Sequence, residues 1–490
     1  MNYMIRKIDK SYGFILLTLG LCLQFACKDF IDIAPEATTT IDKLYTTDDD
    51  FRDAVNAGYT ALQLQYQDFW IYGDVPGDDS QQEVVKNDAW YFADAFTMQE
   101  NVALLNETWS NYYVAITRMN LVLDKITDAD PAVVTNKERY IGEARLIRAL
   151  AYFDLVRIFG GVPMVLRPLS TQEAYGLARE DVGRLYTEVI IPDLLAAAER
   201  LPPAYSGADV GRATKGAAKS LLGRVYLTVK DFGKAQEVLQ EVTTMGYALL
   251  PAYEDLFDYG KDEHHSEYIF DIEYEEGLGD QGSEFTHRFM PNSSALAEFY
   301  GIRGGDLSET NSPTPALRAL FDEQDKRKDV TVGTEGGFYN QNGVFVPLPA
   351  ATSQNYTKKY MTPVARANDS PANWKVIRYA DVLLMYAEAL NENGNAALAV
   401  DYLNQVRRRA DVSLYAVSDQ EDIREKIYQE RRLELAFEGH RWFDLVRTGK
   451  ANDVLAPLGM RPYMTLFPIP LTQIQVINNQ QIFAQNPGYN

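Results

Sequence analysis

The chain has 490 residues, of which 46% are hydrophobic and 24% are charged, and its formal net charge is −22. These proportions are those of a folded globular protein, and they exclude a mainly disordered chain and a polytopic membrane protein. Phosphate backbones are bound by clustered lysines and arginines, so the excess of carboxylates predicts that nucleic acid is not a partner.

The amino terminus has the pattern of an export signal. The apolar run over residues 13–26 is short for a membrane span, which needs about 20 apolar residues. Three basic residues precede this run: Arg6, Lys7 and Lys10. The ending Leu-Gln-Phe-Ala-Cys resembles a bacterial lipobox, although Gln24 stands where leucine is usual. We predict a lipoprotein signal peptide over residues 1–26 and lipidation of Cys27; an ordinary signal peptide with an incidental cysteine is the alternative.

Farther along the chain, apolar residues recur at three- and four-residue steps, as amphipathic helices require. This spacing predicts helices over Thr47–Leu64, Asn101–Lys125 and Glu138–Phe159, and a glycine- and proline-containing segment ends the third. The segment Gln67–Gln99 between the first two is rich in aspartate, glycine and aromatic residues, so we predict that it is irregular.

Two later segments place small residues at the same steps, with Ala235 following Gly223 and Ala399 following Ala387. These steps resemble tetratricopeptide (TPR) hairpins, in which small residues let two antiparallel helices approach closely. We therefore predict a mainly α fold with a TPR-like helical scaffold.

The region between the two hairpins is rich in glycine and aspartate and contains one strand-like run, Tyr268–Tyr274. Loops of this length usually carry function. We predict one domain over residues 27–490, with helical scaffold at about 40–246 and 372–450 and a large irregular insertion at about 247–371.

Motifs for catalysis, cofactors and metals are nearly absent. A GxGxxG match at residues 277–282 lacks the helix that a pyrophosphate needs after it. The segment 211–216 has P-loop glycine spacing without the required lysine, and Thr214 there is better interpreted as a helix cap. The adjacent pair His264 and His265 is typical of an exposed loop, because neighbours on a helix or strand point apart. We predict no enzymatic activity, no cofactor and no metal site.

Aromatic and polar residues in the irregular segment give the better signal. Sugars expose apolar C–H faces that stack on flat rings, while their hydroxyl groups need carboxylate, amide or guanidinium partners. The candidate ligand contacts here are Trp70, Tyr72, Asp78, Asp79, Asn87, Trp90 and Tyr91. Four more residues beside glycines in the insertion complete the predicted site: Tyr300, Arg303, Phe338 and Tyr339. Trp109, Trp374 and Trp442 lie in helical patterns, and we predict that they belong to the core.

Several long motifs occur in the order found in one known family. They are Cys27–Pro35, Glu143–Pro163, Glu430–Arg447, Phe467–Pro470 and Gln485–Tyr489. With these motifs the sequence resembles the SusD/RagB-like outer-membrane nutrient-binding lipoproteins of Bacteroidetes. The resemblance extends over nearly the whole chain after the predicted signal peptide.

The resemblance implies a TPR-like fold, a lipid anchor in the outer membrane facing the cell exterior, and an oligosaccharide ligand. It also implies a partner, a SusC-like TonB-dependent outer-membrane transporter that imports the captured ligand. Ligand-binding residues vary across this family, so the resemblance assigns no ligand contact to any residue of this chain. The motif Glu430–Arg447 is interpreted as framework, with ion pairs at helical three- and four-residue steps among Arg431, Arg432, Glu434, Glu438, Arg441 and Asp444. Leu435, Phe437, Trp442 and Phe443 are expected to supply packing.

The sequence leaves four functions open. The leading hypothesis is a cell-surface glycan-binding lipoprotein without catalytic activity, and a peptide-binding nutrient lipoprotein of the same family is the alternative. An exported glycan-cleaving enzyme and a scaffold that binds only protein are less favoured.

Overall fold

The computed structural model describes residues 44–82, 88–261, 263–279 and 281–489. The predicted signal peptide, the lipidation site Cys27 and the candidate ligand residue Asn87 lie outside these ranges. Within them the chain is mainly helical and its strands are short, so the predicted fold class is confirmed. No helix in the described part of the chain is long and apolar enough to cross a membrane.

The long helices form the scaffold. Those of ten or more residues in the described ranges are α1 Asp48–Tyr66, α2 Ala103–Thr127, α3 Lys137–Phe159, α4 Ile191–Arg200, α5 Lys215–Thr228, α6 Phe232–Thr243, α7 Tyr379–Glu392, α8 Ala396–Ala410 and α9 Gln420–Glu434. Helices α1 to α3 match the three sequence-predicted helices to within two residues at each end. The predicted cap is also confirmed, because the Thr214 side chain accepts a hydrogen bond from the Ala217 amide at the start of α5.

Each scaffold helix packs against the next one along the chain, from α1 against α2 to α8 against α9. In the α5–α6 hairpin, a Cβ atom added to Gly223 would lie 2.4 Å from a methyl carbon of Leu239. A side chain at this position would push the two helices apart, so the predicted close approach is confirmed. Ala387 and Ala399 are fully buried in the equivalent hairpin α7–α8.

Short elements connect the scaffold helices. The short α-helices are Phe69–Gly73, Ala89–Asp94, Thr171–Ala174, Val182–Leu185, Phe285–Phe289, Ser294–Tyr300, Pro315–Leu320, Lys328–Thr331, Arg441–Arg447, Ala451–Leu455 and Leu471–Ile477. The strands form antiparallel pairs: β1 Ser80–Gln81 with β3 Ser312–Pro313, β2 Tyr268–Ile272 with β6 Trp374–Arg378, and β4 Gly337–Tyr339 with β5 Phe345–Pro347. The predicted strand is therefore confirmed as β2, and its pairing with β6 ties the insertion to the start of α7.

Charged residues of the motif Glu430–Arg447 lie in a buried network. The Glu434 carboxylate accepts hydrogen bonds from Arg378 at 2.6 Å, from Arg327 at 3.1 Å and from Arg409. Glu438 accepts from Arg378 and from the Lys359 ammonium, each at 2.7 Å. Burial raises the pKa of Glu434, but the charges of the three arginines outweigh it and hold the pKa far below its usual value.

Most ion pairs predicted at helical steps within this motif are wrong. Arg431 binds Asp381 on α7 at 2.7 Å and Asp444, thirteen residues along the motif, at 3.1 Å, while Arg432 and Arg441 both bind Asp78. The physical reason is that the motif is mostly buried and bends between two helices, so most of its charged side chains face other elements rather than neighbours one helical turn away. The packing prediction is confirmed, since these side chains are at most 6% exposed: Leu435, Phe437, Trp442, Phe443, Trp109 and Trp374.

Candidate functional site

Two of the candidate ligand residues are interior side chains. Trp70 and Tyr72 lie on the short helix Phe69–Gly73 and are at most 1% exposed. The Trp70 indole donates a hydrogen bond to the Gln67 carbonyl at 3.0 Å, and the Tyr72 hydroxyl is 2.8 Å from the Thr108 hydroxyl. The prediction that these rings contact ligand is wrong, because the segment buries the apolar face of its own helix against the core.

The two candidate aspartates are also engaged within the protein. Asp78 accepts from Arg441 at 2.7 Å and from Arg432, and Asp79 accepts from Arg432 at 2.7 Å. Burial raises the pKa of Asp78, but the hydrogen bond from Arg441 and the charges of both arginines outweigh it and lower that pKa. Asp79 is buried, so its predicted ligand contact is wrong; Asp78 is partly exposed, and its ligand contact stays a prediction. Both carboxylates join the segment to the framework motif.

Trp90 lies differently, because part of its ring reaches solvent. It is half-buried on the short helix Ala89–Asp94, and its ring stacks on Trp70 with centroids 6.1 Å apart. The Arg288 guanidinium lies 5.2 Å from the Trp90 ring centroid, and Phe289 meets Trp70 edge to face at 5.2 Å. Trp70 thus has a positioning role: it is the rigid support beneath a partly exposed indole.

Polar groups surround Trp90. Tyr91, the next residue along the chain, is half-exposed, and Asp94 follows one helical turn after Trp90. Burial raises the pKa of Asp94 to about 6 and that of Asp68 to about 6. Arg288 donates to Glu284 at 2.8 Å. A partly exposed ring among carboxylates and a guanidinium is suited to a ligand with both C–H faces and hydroxyl groups. We call Trp90, Tyr91, Asp94 and Arg288 the Trp90 surface.

The candidates in the insertion gather around the short helix Ser294–Tyr300. Phe299 on this helix contacts Phe338 of β4 with ring centroids 4.8 Å apart. Phe338 is 4% exposed, so its predicted ligand contact is wrong: its ring packs beneath the β4–β5 hairpin. Tyr300 is half-buried, and burial raises the pKa of its hydroxyl. The helix and the hairpin are thus one packed unit.

Tyr339 is the most exposed of the candidate rings. Its side chain is 59% exposed and meets Phe345 of β5 edge to face, with centroids 5.5 Å apart. Phe345 is itself 42% exposed and was not predicted from the sequence. The signal that could have found it is the Asn342-Gly343 turn, a strong hairpin marker that places Phe345 opposite Tyr339.

Arg303 lines a groove of about 580 Å³ next to this helix. The Arg303 amide donates to the Val364 carbonyl at 2.9 Å, which fixes the loop. The Arg303 side chain is exposed and forms no hydrogen bond or ion pair with other described residues. A free guanidinium in an open groove is available to a ligand.

The short helix Phe285–Phe289 contacts both the Trp90 surface and the loop that contains Arg303. Arg288 on this helix lies over Trp90, and the neighbouring His287 ring is 3.0 Å from the Gly304 carbonyl in the Arg303 loop. The structure therefore places the Trp90 surface and the Arg303 groove against adjacent residues of one helix.

Metal ligation finds no support in the described ranges, where no group of three or more His, Cys, Asp or Glu side chains is arranged to hold an ion. His264 lies 2.7 Å from the Glu273 carboxylate, so one ring of the histidine pair has an internal partner.

Comparison with known proteins agrees with this architecture. A family model described as the SusD family matches residues 254–457, and a model described as "Starch-binding associating with outer membrane" matches residues 29–227. The SusD-like protein P2 of Formosa agariphila is 27% identical over 99% of this chain and all of that protein. The chain is similar to SusD-like proteins along nearly its whole length, and the predicted resemblance to the SusD/RagB-like family is confirmed.

Solved SusD-like structures agree with this assignment. A structure titled "Laminarin binding SusD-like protein" is 29% identical, has a TM-score of 0.78, and aligns with 91% of this chain and all of that one. Surface glycan-binding protein A of Bacteroides thetaiotaomicron is 20% identical with a TM-score of 0.76, over 91% of this chain and all of that one, and shows the shared fold. The predicted resemblance to SusD-like proteins and the predicted TPR-like helical scaffold are thereby confirmed.

Proposed function

We propose that this SusD-like chain is a non-catalytic glycan-binding lipoprotein of the outer membrane. It captures oligosaccharides on the Trp90 surface and the neighbouring Arg303 groove and passes them to a SusC-like TonB-dependent transporter. The observation that carries the proposal is the partly exposed indole of Trp90, which is held by buried Trp70 and by Arg288. Relatives named for laminarin and glycan binding support the ligand class.

The chemistry of the surface fits a sugar. The Trp90 ring offers a flat apolar face, and fixing it on Trp70 in advance reduces the entropy lost on binding. Asp94, Arg288 and Arg303 offer acceptors and donors for hydroxyl groups. Contacts of this kind give modest affinity, which suits a receptor that must release its ligand to a transporter.

The first test is calorimetry of the chain from residue 28 onward with laminarin and starch oligosaccharides, followed by chromatography of the sugars. Heat of binding with sugars of unchanged length is expected. Shortened sugars would make the protein a glycan-cleaving enzyme. Absence of heat with both glycans, together with binding of oligopeptides, would favour the peptide-binding alternative.

The lipid anchor is tested separately, because the leader and Cys27 lie outside the described residues. In a bacterial host that processes lipoproteins, wild-type chain should sediment with outer membranes and carry acyl groups detectable by mass spectrometry. Cys27→Ala should remove both properties. Membrane association that survives Cys27→Ala would contradict the proposed anchor.

A further inference from the structure

A second groove lies between the loop after the Trp90 helix and the carboxyl-terminal segment. It has a volume of about 490 Å³. Its polar and aromatic walls are Thr97, Gln99, Glu100, Asn101, Tyr463 and Tyr489, and we call it the Tyr463 groove. None of these residues was a candidate ligand contact in the sequence analysis.

The walls of the Tyr463 groove are held together. The Leu471 amide donates to the Glu100 carbonyl at 2.8 Å, which joins the carboxyl-terminal segment to the loop. Tyr463 meets Tyr489 edge to face at 5.2 Å, and the Tyr489 hydroxyl donates to the Leu466 carbonyl at 2.8 Å. A Cβ atom on Gly488 would lie 2.3 Å from the Tyr463 ring, so this ring rests directly on the backbone. The Tyr463 ring is therefore fixed, yet it is 38% exposed.

The polar side chains of this groove are free. Within the described residues, the side chains of Thr97, Gln99, Glu100 and Asn101 and the Tyr463 hydroxyl form no hydrogen bond or ion pair with the protein. Because the groove is open, water satisfies these groups until a ligand displaces it.

A smaller cavity elsewhere on the molecule shows the contrast. It measures about 320 Å³ and is lined by Arg432, Arg441 and Lys450 among others. Arg432 and Arg441 bind Asp78, and the Lys450 ammonium binds Glu425 at 2.5 Å. These three cations are thus paired with carboxylates of the protein, whereas the Glu100 carboxylate of the Tyr463 groove has no partner among the described residues.

We propose that the Tyr463 groove is a second saccharide-binding subsite that takes a neutral glycan. The Tyr463 ring stacks on a sugar face, and the amides of Gln99 and Asn101 bind hydroxyl groups. Among the described residues, Glu100 is the only charged side chain that lines the groove, so an anionic sugar is disfavoured there. This inference rests on the proposed glycan-binding function and adds a second glycan-binding location on the molecule.

The subsite lies close to the helix that carries Trp90. Phe92 and Ala93 of the short helix Ala89–Asp94 line a small apolar cavity, and four of its other lining residues also line the Tyr463 groove: Phe96, Met98, Met464 and Tyr489. The helix that carries Trp90 therefore borders a cavity whose other wall belongs to the Tyr463 groove. A glycan chain that reaches both the Trp90 surface and this groove gains avidity, because the second contact becomes intramolecular.

The test compares long laminarin with short laminarin oligosaccharides in calorimetric titrations. The groove variants are Tyr463→Ala and the double variant Gln99→Ala/Asn101→Ala; Tyr175→Ala, which removes a 54% exposed tyrosine from another surface, is the control. We expect both groove variants to bind the long glycan about tenfold more weakly, while the control binds as wild type does. Short oligosaccharides should still bind to both groove variants at the Trp90 surface.

The double variant keeps the test decisive if removal of Tyr463 loosens the carboxyl-terminal segment. Wild-type affinity of the double variant for the long glycan would overturn the subsite, whatever Tyr463→Ala does. In that case sensitivity to Trp90→Ala would leave the proposed function standing. Failure of the wild-type chain to bind any glycan would instead overturn the proposed function and this inference together.

Discussion

The buried network around Glu434 and the surface around Trp90 both contain arginines, carboxylates and aromatic rings, but these side chains find their partners differently. Glu434 is fully buried and receives hydrogen bonds from three arginines. Trp90 and Arg303 keep part or all of their side chains in solvent, and Arg303 forms no ion pair with other described residues. Side chains satisfied within the protein support the fold, whereas those left open are available to a ligand.

This contrast explains why the charge-rich family motif Glu430–Arg447 is framework rather than a ligand surface. Segment Glu430–Arg447 has an unusual density of charge, which suggests catalysis or binding when it is considered alone. Many of its charged side chains form ion pairs with residues far away in the chain, including Asp78 and Arg378. A ligand could reach them only by displacing existing ion pairs.

The largest expected effect is on the stability of the Glu434 network. Glu434→Ala leaves Arg378, Arg409 and Arg327 buried without this carboxylate, and should cost about 3–5 kcal/mol of unfolding free energy. Glu425→Ala, which breaks the exposed pair with Lys450, is the matched control and should cost at most about 1 kcal/mol. Urea titrations of both variants measure the difference, and equal losses would break the distinction between the two regions.

A second prediction concerns Asp74, a buried carboxyl that forms no ion pair with the other described residues. Asp74 accepts from the Gly439 amide at 2.8 Å, and burial raises its pKa to about 7. The folded protein holds this proton more tightly than the unfolded chain does. The contribution of Asp74 to the free energy of unfolding should therefore decrease as pH rises from about 4 to about 7.

Asp74→Asn removes this titration and preserves an acceptor for the Gly439 amide. Urea titrations at pH 5 and pH 8 should show a smaller decrease in unfolding free energy for Asp74→Asn than for wild type. An identical decrease in both proteins would assign the pH dependence to other groups, with Asp271 the first to examine, since burial raises its pKa to about 6.

The smallest expected effect is at the β4–β5 hairpin. Tyr339→Ala removes a 59% exposed ring and should change unfolding free energy by no more than about 0.5 kcal/mol. We expect its affinity for oligosaccharide to fall about twofold, since an exposed aromatic contact contributes about 0.5 kcal/mol, at the low end of the range for aromatic contacts. Titration calorimetry beside Tyr175→Ala checks this result, and unchanged affinity would restrict the ligand surface to Trp90 and Arg303.

Much of the scaffold could be predicted from the sequence because helix periodicity is local. The helices α1 to α3, the close approach at Gly223 and the helix cap at Thr214 all follow from neighbouring residues. The partners of Asp78 could not be predicted, because Arg432 and Arg441 lie more than 350 residues farther along the chain.

The site was only partly predictable for a related reason. Aromatic composition identified the segment that contains Trp70 and Trp90, but it could not separate the buried ring from the half-exposed ring. That difference depends on Phe289 and Arg288, which approach from the insertion. Tyr463 gave no local signal, since its groove forms only when the carboxyl-terminal segment meets the loop after the Trp90 helix.

The central claim is that partly exposed rings bind ligand while buried rings support the fold. The most direct measurement is a paired determination, on Trp90→Ala and Trp442→Ala, of affinity for laminarin oligosaccharides and of unfolding free energy. Trp90→Ala should bind about tenfold more weakly, or about 1.4 kcal/mol, with a small loss of stability. Trp442→Ala should lose about 3–5 kcal/mol of stability and keep wild-type affinity in its folded fraction. Wild-type affinity in Trp90→Ala, or weakened affinity in folded Trp442→Ala, would contradict the account.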